Sequence, residues 1–429
     1  MKKWKMFTLT TMVATGMIFS GIAAEASDTK VPDEITLYTY YSDSAKEVLD
    51  LTLEKLKDIY PDLKVNIEHR TDSDGQVLKT RAAVGELPDV FECIGTLTDI
   101  LQQSGDLVML DDAMKEYGLE EKYLEGNLEA ERSADGHFYA VQETQPQNFL
   151  VYYNTDVFEK LNLEEPTNFE EFKNVVKTLA DNDIIPLALF GQQKWPGLQL
   201  FDLAVIGEGQ YGGITALDDG TASITDPEYL AAAEKVSELI DLGLIGSGAL
   251  NTNASQAFEL LGTGQAGMLV NGSWFFNDAI TGGWSDHVGY FHYNPFADAE
   301  DAEEVQWHMS GGTGGLGGYA VSTNGEYAEF CTEFLMDFTY YHSIASAEHG
   351  SVSALKEKVD PDETRPEAYQ DYADHISDIK STTKFEWTLD NQAIMMALED
   401  DTELLNTAAF TAEDFIADLE TLISEAKGE

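Results

Sequence analysis

The chain has 429 residues, of which 43% are hydrophobic and 24% are charged, a composition typical of globular proteins. At roughly 100–200 residues per domain, this length predicts two or three lobes, each with a core of its own. The formal net charge of −53 argues against nucleic acid, anionic lipid headgroups and strongly acidic ligands as partners, because like charges repel.

Residues 1–26 predict a signal peptide. Lysines at positions 2, 3 and 5 precede a largely apolar stretch, and positions 24–26 read Ala-Glu-Ala, the small-x-small pattern of a cleavage site. We expect export with removal of this segment, and retention as an N-terminal anchor is the alternative. The leader has no lipobox cysteine, so we expect a periplasmic or extracellular protein that carries no lipid. No later segment has the roughly 18 consecutive apolar residues of a membrane-spanning helix.

The first elements after the leader predict a β-α-β unit. Residues 35–41 alternate in polarity and are rich in strand-forming types. Apolar residues then recur at helical spacing from Ala45 to Ile59, until Pro61 ends the helix. Residues 63–67 alternate again, which predicts a second strand parallel to the first.

Strand and helix signals continue through the middle of the chain. Residues 88–93, 138–141 and 148–153 predict strands. Thr167 and Glu170 form a capping-box pattern ahead of a helix, and another helix is predicted to begin at Asp226-Pro227. The remaining predictions are a strand at 288–293, an acidic loop at 298–304, a glycine-rich approach to a strand at 311–322, and a largely helical segment at 327–424.

The stretch from 260 to 275 has the most informative pattern. Two glycines end a helix, residues 266–270 predict a buried strand, and Asn-Gly-Ser at 271–273 predicts a turn. Ser273 is a plausible helix N-cap that would present Trp274 at the end of the strand. A tryptophan there could stack on a sugar ring or could fill the core, and spacing does not decide between the two.

The sequence predicts neither a cofactor nor a metal. Residues 312–317 match G-x-G-x-x-G, but a strand rather than a helix is predicted to follow, which excludes a dinucleotide site. We expect Gly312 to allow close approach of the backbone to a ligand or to another segment. The histidines have no metal-binding spacing, and the apolar surroundings of Cys93 and Cys331 favour buried free thiols over a disulfide.

Aromatic residues at predicted strand ends and turns are the strongest indication of a binding site. Ligands of open α/β sheets bind beyond the carboxyl ends of the strands, and flat rings there can stack on sugars. The aromatic candidates are Tyr40, Tyr41, Trp195, Trp274 and Trp387. Asp43, Glu92 and Asn271 could add polar contacts, although core packing is an equally good explanation for any single aromatic residue.

The order of these motifs resembles extracellular solute-binding protein family 1, the carbohydrate receptors of bacterial ABC importers. The matching segments are 35–41 before a long helix, 85–90, 136–141, 152–154 with Phe158, 166–172, 264–268 with 271–274, and 311–322. Each motif is weak by itself, but their order and spacing together are specific. A tryptophan that the maltose receptor of the family has near the positions of Glu92 and Cys93 is missing here, so the resemblance leaves the sugar open.

The resemblance implies a periplasmic-binding-protein type II-like α/β fold with two lobes, a hinge and a ligand cleft. It places a signal peptide at 1–26, an N-terminal lobe at 27–142 plus 292–343, and a C-terminal lobe at 143–291 plus 344–429. The chain would cross between lobes near 141–143, 290–294 and 341–344. Trp274 would be the stacking tryptophan, and Tyr40, Tyr41 and Asp43 would lie in the first binding loop. Glu92 would follow the Pro-Asp strand, and Trp387 would lie near a late aromatic that reaches the cleft.

The implied function is capture of a neutral sugar or oligosaccharide and its delivery to a membrane permease of an ABC importer, by a monomer with no catalytic activity. The alternatives are a secreted carbohydrate-active enzyme and a receptor of the same fold for a polyol or a peptide. The sequence leaves the identity of the sugar and of the permease open.

Overall fold

The computed structural model describes residues 31–41, 43–71, 75–93, 96–124, 128, 132–133, 135–141, 147–313, 318–360 and 365–428. The predicted signal peptide lies outside the described residues. In chain order, the strands are β1 (Glu34–Thr39), β2 (Lys64–His69), β3 (Val90–Cys93), β4 (Phe149–Asn154), β5 (Ile185–Ala188), β6 (Ala266–Gly272), β7 (Val288–Tyr290), β8 (His308–Thr313), β9 (Gly318–Val321) and β10 (Ser381–Lys384).

Helices connect and flank these strands. In chain order, they are α1 (Asp43–Leu56), α2 (Gln76–Ala83), α3 (Thr96–Ser104), α4 (Asp111–Tyr117), α5 (Leu119–Lys122), α6 (Thr155–Leu161), α7 (Phe169–Asp181), α8 (Trp195–Gly207), α9 (Gly213–Asp219), α10 (Pro227–Asp241), α11 (Ala254–Gly262), α12 (Phe275–Thr281), α13 (Ala302–Val305), α14 (Ala328–Glu348), α15 (Glu367–His375), α16 (Gln392–Asn406) and α17 (Ala412–Lys427).

The first sheet has the strand order β2-β1-β3-β9. β1 runs parallel to β2 and to β3, as expected for strands joined by helical crossovers, so the predicted β-α-β unit is confirmed. β9 joins the sheet antiparallel to β3, with Val321 opposite Val90.

The second sheet has the order β5-β6-β4-β7, and β8 pairs with β10 in a separate two-stranded sheet. β5 is parallel to β6, whereas β4 is antiparallel to both β6 and β7. β6 is buried along its whole length, which explains why its sequence is continuously small or apolar up to Val270.

Two separate cores divide the molecule into lobes. Leu37 of β1 and Phe334 and Phe338 of α14 belong to the core beside the first sheet. Met268 of β6 and Phe415 of α17 belong to the core beside the second sheet. An α/β protein with two lobes, each around its own sheet, is the architecture that the sequence predicts, and the fold class is therefore confirmed.

The lobe boundaries in the structure differ from the predicted ones. Phe296 packs in the second core and β8 pairs with β10, so the chain returns to the first sheet between Thr313 and Gly318 rather than near 290–294. The last crossing also lies later than 341–344. Leu355 still packs in the first core, whereas Tyr369 packs in the second lobe.

Two predicted helix caps are displaced by one residue. Asn168, not Thr167, caps α7: its side chain accepts a hydrogen bond from the backbone N–H of Glu171 at 3.1 Å. Trp274, not Ser273, occupies the N-cap position of α12. Ser273 instead faces the start of β4, where its N–H donates to the carbonyl of Asn148 at 2.8 Å.

Candidate ligand-binding site

Three tryptophans from distant parts of the chain meet on the second lobe. Trp195 begins α8, Trp274 follows the turn after β6, and Trp387 lies in a short 3₁₀ turn after β10. Their ring centroids are 5.4–6.2 Å apart. Each ring is half-buried, so it packs on the lobe and still reaches solvent. We call these three residues the tryptophan group.

Phe385 supports the tryptophan group from below. Its fully buried ring lies parallel to Trp387, with centroids 4.5 Å apart and an interplanar angle of 5°. It also lies 5.4 Å from Trp274. Phe385 was missed from the sequence, because nothing distinguishes it there from any other core phenylalanine.

The turn before Trp274 is shaped to let the indole fold back over the backbone. A side chain at Gly272 would lie 2.2 Å from the Trp274 ring, so only glycine leaves room for the indole. Asn271 holds the turn, since its Oδ1 accepts a hydrogen bond from the N–H of Gly272 at 2.8 Å. Asn271 itself is 1% exposed, which makes it a support of the turn in this conformation, and its contact with ligand stays a prediction.

The remaining predicted residues lie at the end of the first sheet. Tyr40 is 53% exposed and Tyr41 packs on His69 with ring centroids 4.4 Å apart. Glu92 ties β3 to β1 and β2, because its Oε2 accepts from the N–H of Tyr40 at 2.7 Å and pairs with Nε of Arg70 at 3.3 Å. Asp43 is the first residue of α1, and its side chain lies outside what the structure describes.

The tyrosines belong to the first lobe and the tryptophan group belongs to the second. Desolvation by the surrounding protein raises the pKa of Tyr40, and the charge of Asp278 on α12 raises it further. On the other side, burial and the charge of Asp390, close after Trp387, raise the pKa of Asp99 on α3. In both cases the charge of a carboxylate of the second lobe acts on a residue of the first.

Gly312 lies against another segment of the chain. Its φ of +109° favours glycine, and a Cβ there would lie 2.6 Å from Nδ2 of Asn148 and 2.9 Å from the carbonyl oxygen of Gln147. Of the two explanations that the sequence leaves open, the geometry supports close approach to another segment. A contact between Gly312 and a ligand stays a prediction.

A buried polar network lies next to the aromatic residues. Asp202 of α8 is fully buried and accepts hydrogen bonds from Ser310 and Thr383, each at 2.6 Å, and from the N–H of Ile214 at 2.7 Å. Burial outweighs these bonds and raises the pKa of Asp202 to about 6. A single carboxylate within the apolar sequence of α8 is the signal that could have identified it.

Glu386 is a second buried acid, between Phe385 and Trp387. It is 3% exposed, and burial raises the pKa of its carboxyl well above the usual range. Burial therefore favours the protonated, neutral form of this carboxyl.

Other chemistry is not indicated among the described residues. Cys93 and Cys331 are buried and not bonded to each other. Within the described ranges, no three His, Cys, Asp or Glu side chains are arranged to hold a metal ion. No described helix has both the length and the apolar composition needed to span a membrane.

The sequence profile of the bacterial extracellular solute-binding proteins matches residues 41–335. The chain belongs to this family. The family is one of extracellular binding proteins, and the resemblance seen in the motif order is confirmed.

Two curated relatives of this solute-binding protein are similar over part of their length. An uncharacterised ABC transporter extracellular-binding protein of Pyrococcus horikoshii is 23% identical over 289 residues, which are 65% of each chain. The multiple sugar-binding protein of Streptococcus mutans is 26% identical over 270 residues, 58% of this chain and 60% of that one. The match therefore spans less than two thirds of either relative.

The solved structures support the same fold. A chitin oligosaccharide binding protein superposes on this solute-binding protein with a TM-score of 0.77, covering 92% of this chain and 99% of that chain, at 23% sequence identity. At this identity the likeness concerns the fold, and it confirms the two-lobe arrangement.

Proposed function

We propose that the protein captures a neutral sugar or oligosaccharide between its two lobes and delivers it to the permease of an ABC importer. The observation that carries this proposal is the tryptophan group, three half-buried indoles within 6.2 Å of one another on the second lobe. The flat faces of indoles suit the apolar faces of sugar rings, which carry no charge to pair.

The two aromatic sets have complementary roles in this proposal. The tryptophan group offers a stacking surface on the second lobe, and Tyr40 offers an exposed ring and a phenolic hydroxyl on the first. A sugar in contact with both sets would stabilise the closed arrangement of the lobes, which is how a ligand shifts a two-state equilibrium. The permease would then recognise the closed form.

A neutral ligand fits the charge of the protein. The net charge of −53 disfavours anionic solutes, and the names of two relatives refer to sugars and to chitin oligosaccharide. The protein would be exported as a monomer, with residues 1–26 as its signal peptide and without a lipid anchor. It would have no catalytic role.

A binding screen tests this function. The panel consists of galactose, raffinose, maltotriose, xylotriose and chitotriose, each followed by thermal unfolding and then by isothermal titration calorimetry. A saccharide at about 100 times its dissociation constant should add roughly 2.7 kcal/mol to the free energy of unfolding. Absence of stabilisation by every saccharide would argue for a non-sugar solute, and hydrolysis of a saccharide by catalytic amounts of protein would establish an enzyme instead.

Trp274→Ala tests the site itself. The variant removes one stacking face, so we expect sugar affinity to fall by at least about 1 kcal/mol, roughly fivefold or more, while the fold remains. Calorimetry measures the affinity and circular dichroism the fold. The matched control is Trp284→Ala, which removes another half-buried tryptophan of the second lobe that packs against Gly262 and Gly282. Equal loss of affinity in both variants would refute a specific role for Trp274.

A further inference from the structure

Asn148 uses all its polar groups at the junction of the lobes. It is 3% exposed and precedes β4. Its N–H and C=O both bond to Ser273: the carbonyl accepts from the Ser273 N–H at 2.8 Å, and the N–H donates to the hydroxyl at 3.3 Å. Its side chain donates to the carbonyl of Gly311 at 3.2 Å and accepts from the hydroxyl of Tyr372 at 2.9 Å.

These partners flank all three places where the chain passes between lobes. Asn148 follows the first passage, which begins after Val141 at the first sheet. Gly311 lies in β8, just before the return to β9, and Tyr372 lies in α15, after the last passage. The buried side chain of Asn148 is therefore hydrogen-bonded to residues beside the second and the third passage. Asn148 itself lies beside the first passage, and all three positions are on the side of the second lobe.

The same junction is connected to two tryptophans of the binding surface. Through Ser273, Asn148 is bonded to the residue that precedes Trp274. Gly311 is held on its other side, because its N–H donates to Thr383 Oγ1 at 2.9 Å. Thr383 lies in β10, four residues before Trp387, and donates to the buried carboxylate of Asp202.

The packing at this junction leaves little room for independent movement. A Cβ at Gly311 would lie 2.5 Å from the Phe385 ring, and a Cβ at Gly312 would lie 2.6 Å from Asn148. A displacement of β8 would therefore be transmitted to Phe385 on one side and to Asn148 on the other.

We propose that Asn148 is a positioning residue that couples the passage between the lobes to the arrangement of Trp274 and Trp387. In the unsubstituted protein, a movement of the lobes shifts Gly311. The hydrogen bonds of Gly311 to Asn148 and to Thr383 then move Trp274 and Trp387 together. This inference rests on the proposed function, because the arrangement of the tryptophans is read out through sugar affinity.

Asn148→Ala is the test, with Asn294→Ala as a matched control. Asn294 is also a buried asparagine of the second lobe. Its side chain donates to the carbonyl of Leu203 and accepts from the N–H of Phe296, each at 2.9 Å. Neither partner is Gly311 or Ser273. The probe is whichever of the five panel saccharides stabilises the unsubstituted protein. We expect Asn148→Ala to weaken its binding about tenfold and to reduce the ligand-induced decrease in radius of gyration, and Asn294→Ala to do neither.

A second readout needs no sugar and so separates this inference from the proposed function. Hydrogen–deuterium exchange of peptides covering 271–276 and 381–388 should be faster in Asn148→Ala and unchanged in Asn294→Ala. If Asn148→Ala does not fold, Tyr372→Phe, which removes one hydroxyl from the junction, should show the same changes to a smaller degree. The coupling would be overturned if exchange in Asn148→Ala equalled that of Asn294→Ala, or if the two variants bound sugar with equal affinity. Failure of every saccharide to bind would overturn the proposed function. The exchange experiment would then still decide the coupling.

Discussion

At the scale of single residues, Gly272 decides where Trp274 can lie. The indole covers the backbone of the turn, so the absence of a side chain at position 272 sets the position of the ring in the proposed binding surface. Gly272 is buried at the end of β6, and the hydroxyl of Tyr152 donates to its carbonyl at 3.0 Å, which fixes the turn from the strand side.

Gly272→Ala should therefore move the Trp274 ring without removing it. The new methyl group would overlap the indole, so we expect weaker sugar binding, by a factor of about ten, and a shifted tryptophan emission spectrum. Gly248→Ala is the control, since a Cβ at Gly248 would meet nothing within 4 Å. Unchanged affinity in Gly272→Ala would mean that the ring can relax to an equally good position.

The sequence predicted the aromatic candidates at residue scale but could not predict their supports. Three tryptophans were singled out because of their positions near predicted turns and helix starts, and they do come together: Trp195, Trp274 and Trp387. Phe385 and Asp202 were missed, since their importance depends on which distant segments pack against them. Glu92 was predicted to offer a polar contact; its Oε2 is bonded within the first lobe, and a contact with ligand stays a prediction.

At the scale of elements, His292 joins three of them in the second lobe. It follows β7, and its Nδ1 lies 2.9 Å from Oε2 of Glu165, ahead of α7. Its Nε2 lies 2.6 Å from Oδ2 of Asp371 on α15. The hydrogen bond to Glu165 is the largest cause that raises the pKa of His292 to about 9, and Asp371 adds to it.

This cluster makes stability depend on pH in a defined direction. The pKa is raised in the folded protein, so the stabilisation by His292 is complete below about pH 6.5 and is lost as pH rises through about 9. His292→Gln should lower the free energy of unfolding by about 1 kcal/mol at pH 6, because the partly exposed pair is screened by water, and should have little effect at pH 10.

Urea unfolding of the variant and of the unsubstituted protein at both pH values measures this difference. His287→Gln is the control, because His287 has one carboxylate partner, Asp156, and both side chains are more exposed. A penalty for His292→Gln that is the same at pH 6 and pH 10 would show that the ring acts through packing and not through its charge.

Elements were predicted better than their ends. The strands and helices of the first sheet follow from alternation and helical spacing, and β6 from its continuous small apolar run. The cap of α7 was placed one residue early because threonine and asparagine are both good caps, and only the structure shows which side chain reaches the free N–H groups. Strand β10 lies in a segment predicted to be largely helical, and it was missed because its pairing with β8 joins segments far apart in sequence.

At the scale of the whole molecule, the number of lobes could be predicted and their boundaries could not. Two α/β lobes follow from the chain length and the order of motifs. The point at which the chain changes lobes depends on pairing partners, and the pairing of β8 with β10 keeps residues up to Thr313 in the second lobe. Periodicity carries no information about such partners.

The net charge also acts on the whole molecule. With 78 acidic residues against 25 Lys and Arg, charge repulsion opposes the compact state, and salt should reduce it. We expect the midpoint of thermal unfolding to rise by a few degrees between 20 mM and about 0.5 M NaCl and then to level off, because screening is then nearly complete. Differential scanning calorimetry in NaCl and KCl checks this; a rise with only one of the two salts would indicate binding of a specific cation instead of screening.

The close packing of three indoles has an optical consequence. Trp195, Trp274 and Trp387 lie within 6.2 Å of one another, with interplanar angles of 49–87°. Transition dipoles at such separations and angles couple as an exciton, so the three rings should absorb polarised light as one chiral chromophore. A molecule that packs on any of the three rings would change that coupling, so near-ultraviolet circular dichroism would report its binding without an added dye.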